Sequence, residues 1–190
     1  MKYYVITYTG PFGFIKPWTA VRDAGGGETY SQQFLTPSII EGIRQKLEVS
    51  SIARHKLQYG GLSLQQEVIK AKAWSGSKKN GYTREQSILK RGVLINPILK
   101  LAFLNMEDAE KANLQHICLC RNEDILLPDP SIEIMEEETF DQIPGFELRF
   151  INSDQAFMVG YNRFDKNKEM FGTLEITGNP INDCKYELYE

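Results

Sequence analysis

The sequence has no apolar run near the roughly 20 residues that a membrane-spanning helix needs. Its opening, Met1-Lys2-Tyr3-Tyr4-Val5-Ile6-Thr7-Tyr8, lacks the long apolar stretch of a signal peptide. These absences put the expected location in the cytoplasm, with no membrane partner. Cysteine is scarce: Cys118, Cys120 and Cys184 are an odd number and cannot all pair. Cys118 and Cys120 lie two apart in His116-Ile117-Cys118-Leu119-Cys120, on one face of an expected strand. They read as buried, unreactive thiols of a reducing compartment, and His116 as structural. No second cluster at zinc spacing accompanies them, so no metal is expected. Gly25-Gly26-Gly27 is not followed by the Lys-Ser/Thr of a phosphate-binding loop, and no cofactor is expected. Glu133 and the run Glu136–Glu138 read as a solvated acidic face.

What the sequence does have is an uneven charge. Residues 1–100 carry 15 Lys or Arg against 6 Asp or Glu, and residues 101–190 carry 7 against 19, which leaves the net −3. Such asymmetry between halves points to a polyanion partner for the basic half. The 190 residues suffice for one core without disulfide or metal staples. The 11% of aromatic residues leans toward strands.

Local patterns give the order of elements. Residues 2–9 alternate as a strand, broken by Gly10-Pro11-Phe12-Gly13. Thr36-Pro37 forms a helix start, and Ile39, Ile40, Ile43 and Leu47 make one stripe, so residues 37–48 are an expected helix. Residues 52–59 form a second strand, with Ala53, His55, Leu57 and Tyr59 on one face and Ile52, Arg54, Lys56 and Gln58 on the other. Residues 98–104 form a third, Asn105 caps a short helix, and residues 115–120 form a fourth strand. This is the βαββαβ order of the ferredoxin-like, RRM-like α+β fold. Residues 60–97 interrupt it as a hairpin with its tip at Gly76-Ser77-Lys78-Lys79-Asn80-Gly81, projecting from the sheet as a finger. Residues 121–190 read as a β-rich extension, with strands near 146–151, 156–161, 170–177 and 184–189.

The finger concentrates the candidate chemistry. Lys70, Lys72, Lys78, Lys79, Arg84, Lys90 and Arg91 face only Glu67 and Glu85, and Trp74 and Tyr82 bracket the tip. Cations for phosphates and flat rings for unstacked bases are what single-strand binding needs. Lys16, Trp18 and Arg22, in the first long connection, form a second candidate group. Arg54-His55-Lys56 is a third: a histidine base beside a lysine can activate a 2′-hydroxyl, although alternation separates His55 from its neighbours.

The run Gly10-Pro11-Phe12-Gly13-Phe14-Ile15-Lys16-Pro17, then Arg22, Glu28-Thr29-Tyr30 and Phe34-Leu35-Thr36-Pro37-Ser38-Ile39-Ile40-Glu41-Gly42-Ile43, resembles the start of one CRISPR-associated family. It is the RAMP-superfamily subunit that binds the 5′ handle of the guide RNA in Cascade, the fifth family in the usual naming. The likeness covers about the first 50 residues, with Thr36-Pro37-Ser38 in place of a double proline and Glu48-Val49 where a glycine often ends the helix. It implies a single RAMP domain, with a palm at 1–59 and 98–120 and a β-hairpin thumb at 60–97. It also implies guide RNA and the Cascade backbone subunit as partners, and target DNA indirectly. The acidic second half is expected to face protein, such as the large subunit. No match to the family's cleaving branch is visible, so binding without catalysis is expected. An endoribonuclease using His55 and Lys56 is the alternative, and a protein–protein adaptor without RNA is another.

Overall fold

The first strand, β1 (Lys2–Thr9), carries the centre of the fold because it is apolar on both faces. In this computed structural model, residues 1–17, 28–69, 74–84, 87–151, 153–162 and 165–181 are described. After β1 come β2 (Phe12–Gly13), β3 (Glu28–Tyr30), α1 (Pro37–Leu47) and β4 (Arg54–Gln58). Then follow β5 (Gly61–Ile69), β6 (Trp74–Ser77), β7 (Gly81–Arg84) and β8 (Ser87–Ile95). The chain returns through β9 (Ile98–Phe103), α2 (Met106–Asn113), β10 (Ile117–Cys118), β11 (Ile125–Pro128) and β12 (Glu133–Glu136). It ends in α3 (Glu137–Asp141), β13 (Gly145–Arg149), β14 (Phe157–Asn162) and β15 (Lys168–Thr177).

The main sheet runs β10-β11-β1-β9-β4-β13-β15-β14, with β12 also on β1, and its neighbouring strands pair antiparallel. The protein is therefore a sheet-rich α+β chain. Helix α1 starts where the local chemistry dictates: Ile39 N–H donates to Thr36 Oγ1 at 3.4 Å, and Pro37 occupies the first turn. It ends on Glu48, held in the left-handed region at φ 56°. Asn105 caps α2 by accepting from Asp108 N–H at 2.8 Å.

The two faces of this sheet are covered differently. Ile43 and Leu47 of α1 and Ala109 and Ala112 of α2 pack with Ile6, Tyr8, Leu57, Leu99, Leu101 and Phe103. Burying each large apolar side chain contributes about 1.5–3 kcal/mol, so this face dominates stability. On the opposite face, α3 lays Phe140 on Tyr3, Val5 and Ala102. Among the described residues no helix is long and apolar enough to cross a membrane.

Two expectations change. The strand expected at 115–120 pairs only over Ile117–Cys118, at the end of the sheet. Its continuation is a turn locked by Arg121 on buried Asp124 at 2.6 Å, with Leu119 N–H donating to Asp124 O at 3.2 Å. The places beside β1 go instead to β11 and β12. His116, expected inside an apolar strand, is exposed just before β10. The expected strand at 184–189 and Cys184 lie outside the described residues.

Candidate nucleic-acid interface

Within residues 60–97 the described strands form two antiparallel pairs outside the main sheet. Strands β5 and β8 pair antiparallel from Gly61↔Ile95 to Ile69↔Ser87, and β6 and β7 pair from Trp74↔Arg84 to Ser77↔Gly81. The far edge of β8 holds β2 antiparallel and β3 parallel, so both described ends of the first connection lie along the stem. Gly10, at the corner between β1 and β2, sits tightly on β11. A Cβ there lies 2.4 Å from the Ile125 carbonyl oxygen, so a glycine of the family-like motif is explained by packing.

The tip holds the exposed chemistry. Lys78 and Lys79 are exposed at the turn, where Asn80 N–H donates to Ser77 O at 3.1 Å. Trp74 is 63% and Tyr82 55% exposed. Arg84 stands opposite Trp74 in register. Lys16 is exposed at the root. Trp18, Arg22, Lys70 and Lys72 lie outside the described residues.

On the stem, the register sends Lys90 and Arg91 to opposite faces. Lys90 Nζ pairs with Glu28 at 3.0 Å, and Arg91 Nε with Glu67 at 2.8 Å. The Arg91 guanidinium also lies over the Phe14 ring, 5.1 Å from its centroid. Surface pairs contribute only about 0–1 kcal/mol, so the pairing of Lys90 does not withhold it from a phosphate.

The third candidate group belongs to the core. Arg54 is 5%, His55 3% and Lys56 1% exposed. Arg54 donates from Nε and Nη2 to Glu147 at 2.6 and 2.8 Å, and from Nη2 to Asp141 at 2.8 Å. Burial works against the Arg54 cation, yet the Glu147 and Asp141 carboxylates hold its pKa above the ordinary value. Lys56 Nζ donates to the carbonyls of Asp141 and Ile143 and to Thr177 Oγ1, at 2.8–3.0 Å. Burial lowers its pKa. Expecting Arg54 and Lys56 to touch RNA is therefore corrected: their cations are enclosed by α3 and the segment leading to β13.

His55 points to the other face and closes a seam. Only Phe146↔Leu57 pairs β13 with β4. Beyond it, Leu148 N–H donates to His55 Nε2 and His55 N–H donates to Glu147 Oε1, both at 3.4 Å. Burial pushes the imidazole down to about 4 and keeps Nε2 free to accept. A cavity of about 190 Å³ lined by Ile40, His55, Glu147 and Phe150 lies along this seam. Among the described residues no three His, Cys, Asp or Glu side chains converge to hold a metal.

The sequence reading missed one surface. Leu62, Leu64 and Val68 of β5, Ile88 of β8 and Tyr30 of β3 are exposed on one face of the stem. Tyr30 covers Gly92 so closely that a Cβ there meets its ring at 2.2 Å. The alternation Leu62-Ser63-Leu64-Gln65 was the available signal. Gln66 and the Lys90–Glu28 pair cross this face between Leu64 and Val68, and apolar patches on either side of one ion pair fit a protein partner.

Fold and site together define a sheet-rich α+β protein with a projecting ribbon that is basic and aromatic at its tip. No family model and no curated protein matches the chain. Among solved structures it is similar to a chain from a "CRISPR RNA-guided surveillance complex", with TM-score 0.52 and 10% identity, over 94% of this chain and 91% of that one. At that identity the likeness is one of fold.

Proposed function

We propose that this chain is the RNA-binding subunit of a type I Cascade-like CRISPR effector, capping the 5′ handle of the guide RNA. In this reading β1, α1, β4, β9, α2 and β11/β12 make the ferredoxin-like palm, and the ribbon of β5–β8 is the thumb of a RAMP subunit. The observation that carries it is the exposed tip, with Lys78, Lys79, Trp74 and Tyr82 on a ribbon clear of the core. The fold shared with a surveillance-complex chain supports the setting. The stem's apolar strip serves to dock the neighbouring backbone subunit, and the acidic second half the large subunit, so that target DNA is met indirectly. The subunit works in the cytoplasm and binds without cutting. Burial of His55 and Lys56 on opposite faces of β4 supports that last point.

Binding of single-stranded RNA by the full chain at varied salt tests the reading. Four phosphate contacts, from Lys16, Lys78, Lys79 and Lys90, give a log–log slope of about −3, at about −0.7 each. Lys78→Glu with Lys79→Glu weakens binding, and Glu136→Lys with Glu137→Lys does not. A flat salt response removes the electrostatic basis of the proposal.

A further inference from the structure

Strand β8 carries β5 on one side and β2 and β3 on the other. Among the described residues β5 pairs with β8 alone, so its second edge is open along nine residues. Exposed edges invite foreign strands, and proteins guard them with short strands, bulges, Lys or Pro. The main sheet does so at both ends: β10 has two residues, and β14 shifts register between Met158 and Gly160. β5 reads Gly61-Leu62-Ser63-Leu64-Gln65-Gln66-Glu67-Val68-Ile69, with one charge and no Lys or Pro.

The chain itself leads to this edge. β4 runs on into β5 through Tyr59 and Gly60. Gly60 N–H donates to Ile95 O at 2.7 Å, toward β8, whereas Tyr59 N–H donates to Pro180 O at 3.1 Å. Successive strand residues turn their N–H groups to opposite sides. Ile181, bridged in parallel to Tyr59, is therefore on the side away from β8, in line with the open edge of β5.

Residues 182–190 lie outside the described ones. Their sequence, Asn182-Asp183-Cys184-Lys185-Tyr186-Glu187-Leu188-Tyr189-Glu190, has no Pro or Gly and alternates Cys184, Tyr186 and Leu188 with Lys185 and Glu187. At about 3.3 Å per residue, these nine can span all nine residues of β5. Counting on from Tyr59↔Ile181 brings Cys184 level with Leu62, Tyr186 with Leu64 and Leu188 with Gln66. Leu62 and Leu64 are each about half exposed, on the same face as Tyr30, Val68 and Ile88. A slip of one residue would turn Lys185 and Glu187 onto that apolar face, so the pattern selects the register.

We infer that residues 183–189 add to β5 as a parallel edge strand, with Cys184, Tyr186 and Leu188 on the exposed apolar face. The segment shields the edge from foreign strands and widens the face offered to a protein partner. It prevails over a partner's strand because Ile181 delivers it, which makes the pairing intramolecular. The inference goes beyond RNA binding and does not rest on it.

Crosslinking in the full chain tests it. With Cys118→Ser and Cys120→Ser, Leu62→Cys forms a disulfide with Cys184 under mild oxidation, since neighbouring strands lie about 5 Å apart, within disulfide reach. Val68→Cys, farther along β5, does not. Hydrogen exchange supplies a readout that needs no cysteine change. In the native chain the β5 amides turned away from β8 are protected, and Tyr186→Asp with Leu188→Asp removes that protection while the β8-facing amides keep theirs. No link from Leu62→Cys, or equal linking from Val68→Cys, overturns the proposal. So does protection that survives the Asp variant, which would give the edge to a second copy of the chain.

Discussion

Replacing Glu147 by Ala removes the acceptor of two Arg54 hydrogen bonds, at 2.6 and 2.8 Å, in a place almost closed to water. The guanidinium then keeps Asp141 at 2.8 Å and Glu137 at 3.8 Å, both on more exposed carboxylates. Breaking a buried pair by deleting one partner costs about 3–5 kcal/mol, since the remaining charge stays desolvated. For a chain of this length each kcal/mol moves Tm by about 2–4 °C, so Glu147→Ala lowers it by about 10 °C. The double variant Arg54→Met with Glu147→Leu removes both charges and recovers most of the loss, because apolar replacement of a buried pair is often neutral. Urea unfolding followed by circular dichroism measures both variants. A cost below about 1 kcal/mol for Glu147→Ala, or a double variant worse than the single, refutes the buried pair. RNA affinity of folded Arg54→Met should match that of the native chain, and a loss there would place Arg54 on the nucleic-acid surface.

His55 gives a pH dependence of known sign. Its folded pKa of about 4 lies below the ordinary 6.5, so the neutral form is the one the fold stabilises. Its contribution is complete above about pH 6.5 and is lost as pH falls toward 4, about 3 kcal/mol in all. Urea midpoints from pH 7 to 4.5 should fall accordingly, and His55→Gln should flatten that part of the curve. Glu48→Gly relieves a left-handed residue at φ 56° and removes an acid from a helix C-terminus, so thermal melts should show a gain of about 1 kcal/mol. Trypsin should cut the free chain at Lys78 or Lys79, and guide RNA should protect both positions. Cleavage at equal rates with and without RNA would detach the tip from binding.

Local signals made several elements readable. Thr36-Pro37 with the Ile43/Leu47 stripe located α1 to within one residue, and Asn105 located α2. The Gly76–Gly81 tip was clear because turn residues separate two runs of strand formers. Alternation also sorted β4 correctly into a His55 face and an Arg54/Lys56 face. What it could not supply was the cover. Arg54 and Lys56 read as candidate RNA contacts, yet Glu147, 93 residues from Arg54, and α3 close over them. The acid run at Glu136–Glu138 is at the surface, as it read, but nothing local showed that Glu137 begins the helix that carries Phe140 into the second core. Pairing of β8 with β2 and β3 is equally non-local and left no mark in the intervening sequence.

Ultraviolet crosslinking of the assembled complex, followed by mapping of the RNA-bound peptides in this chain, tests the proposed role most directly. Purified with its partners, the chain should carry guide RNA, with crosslinks concentrated at Trp74, Tyr82 and the Lys78–Lys79 turn and joined to the 5′ handle. Absence of RNA, or crosslinks confined to the acidic segment 104–150, would contradict an RNA-capping subunit.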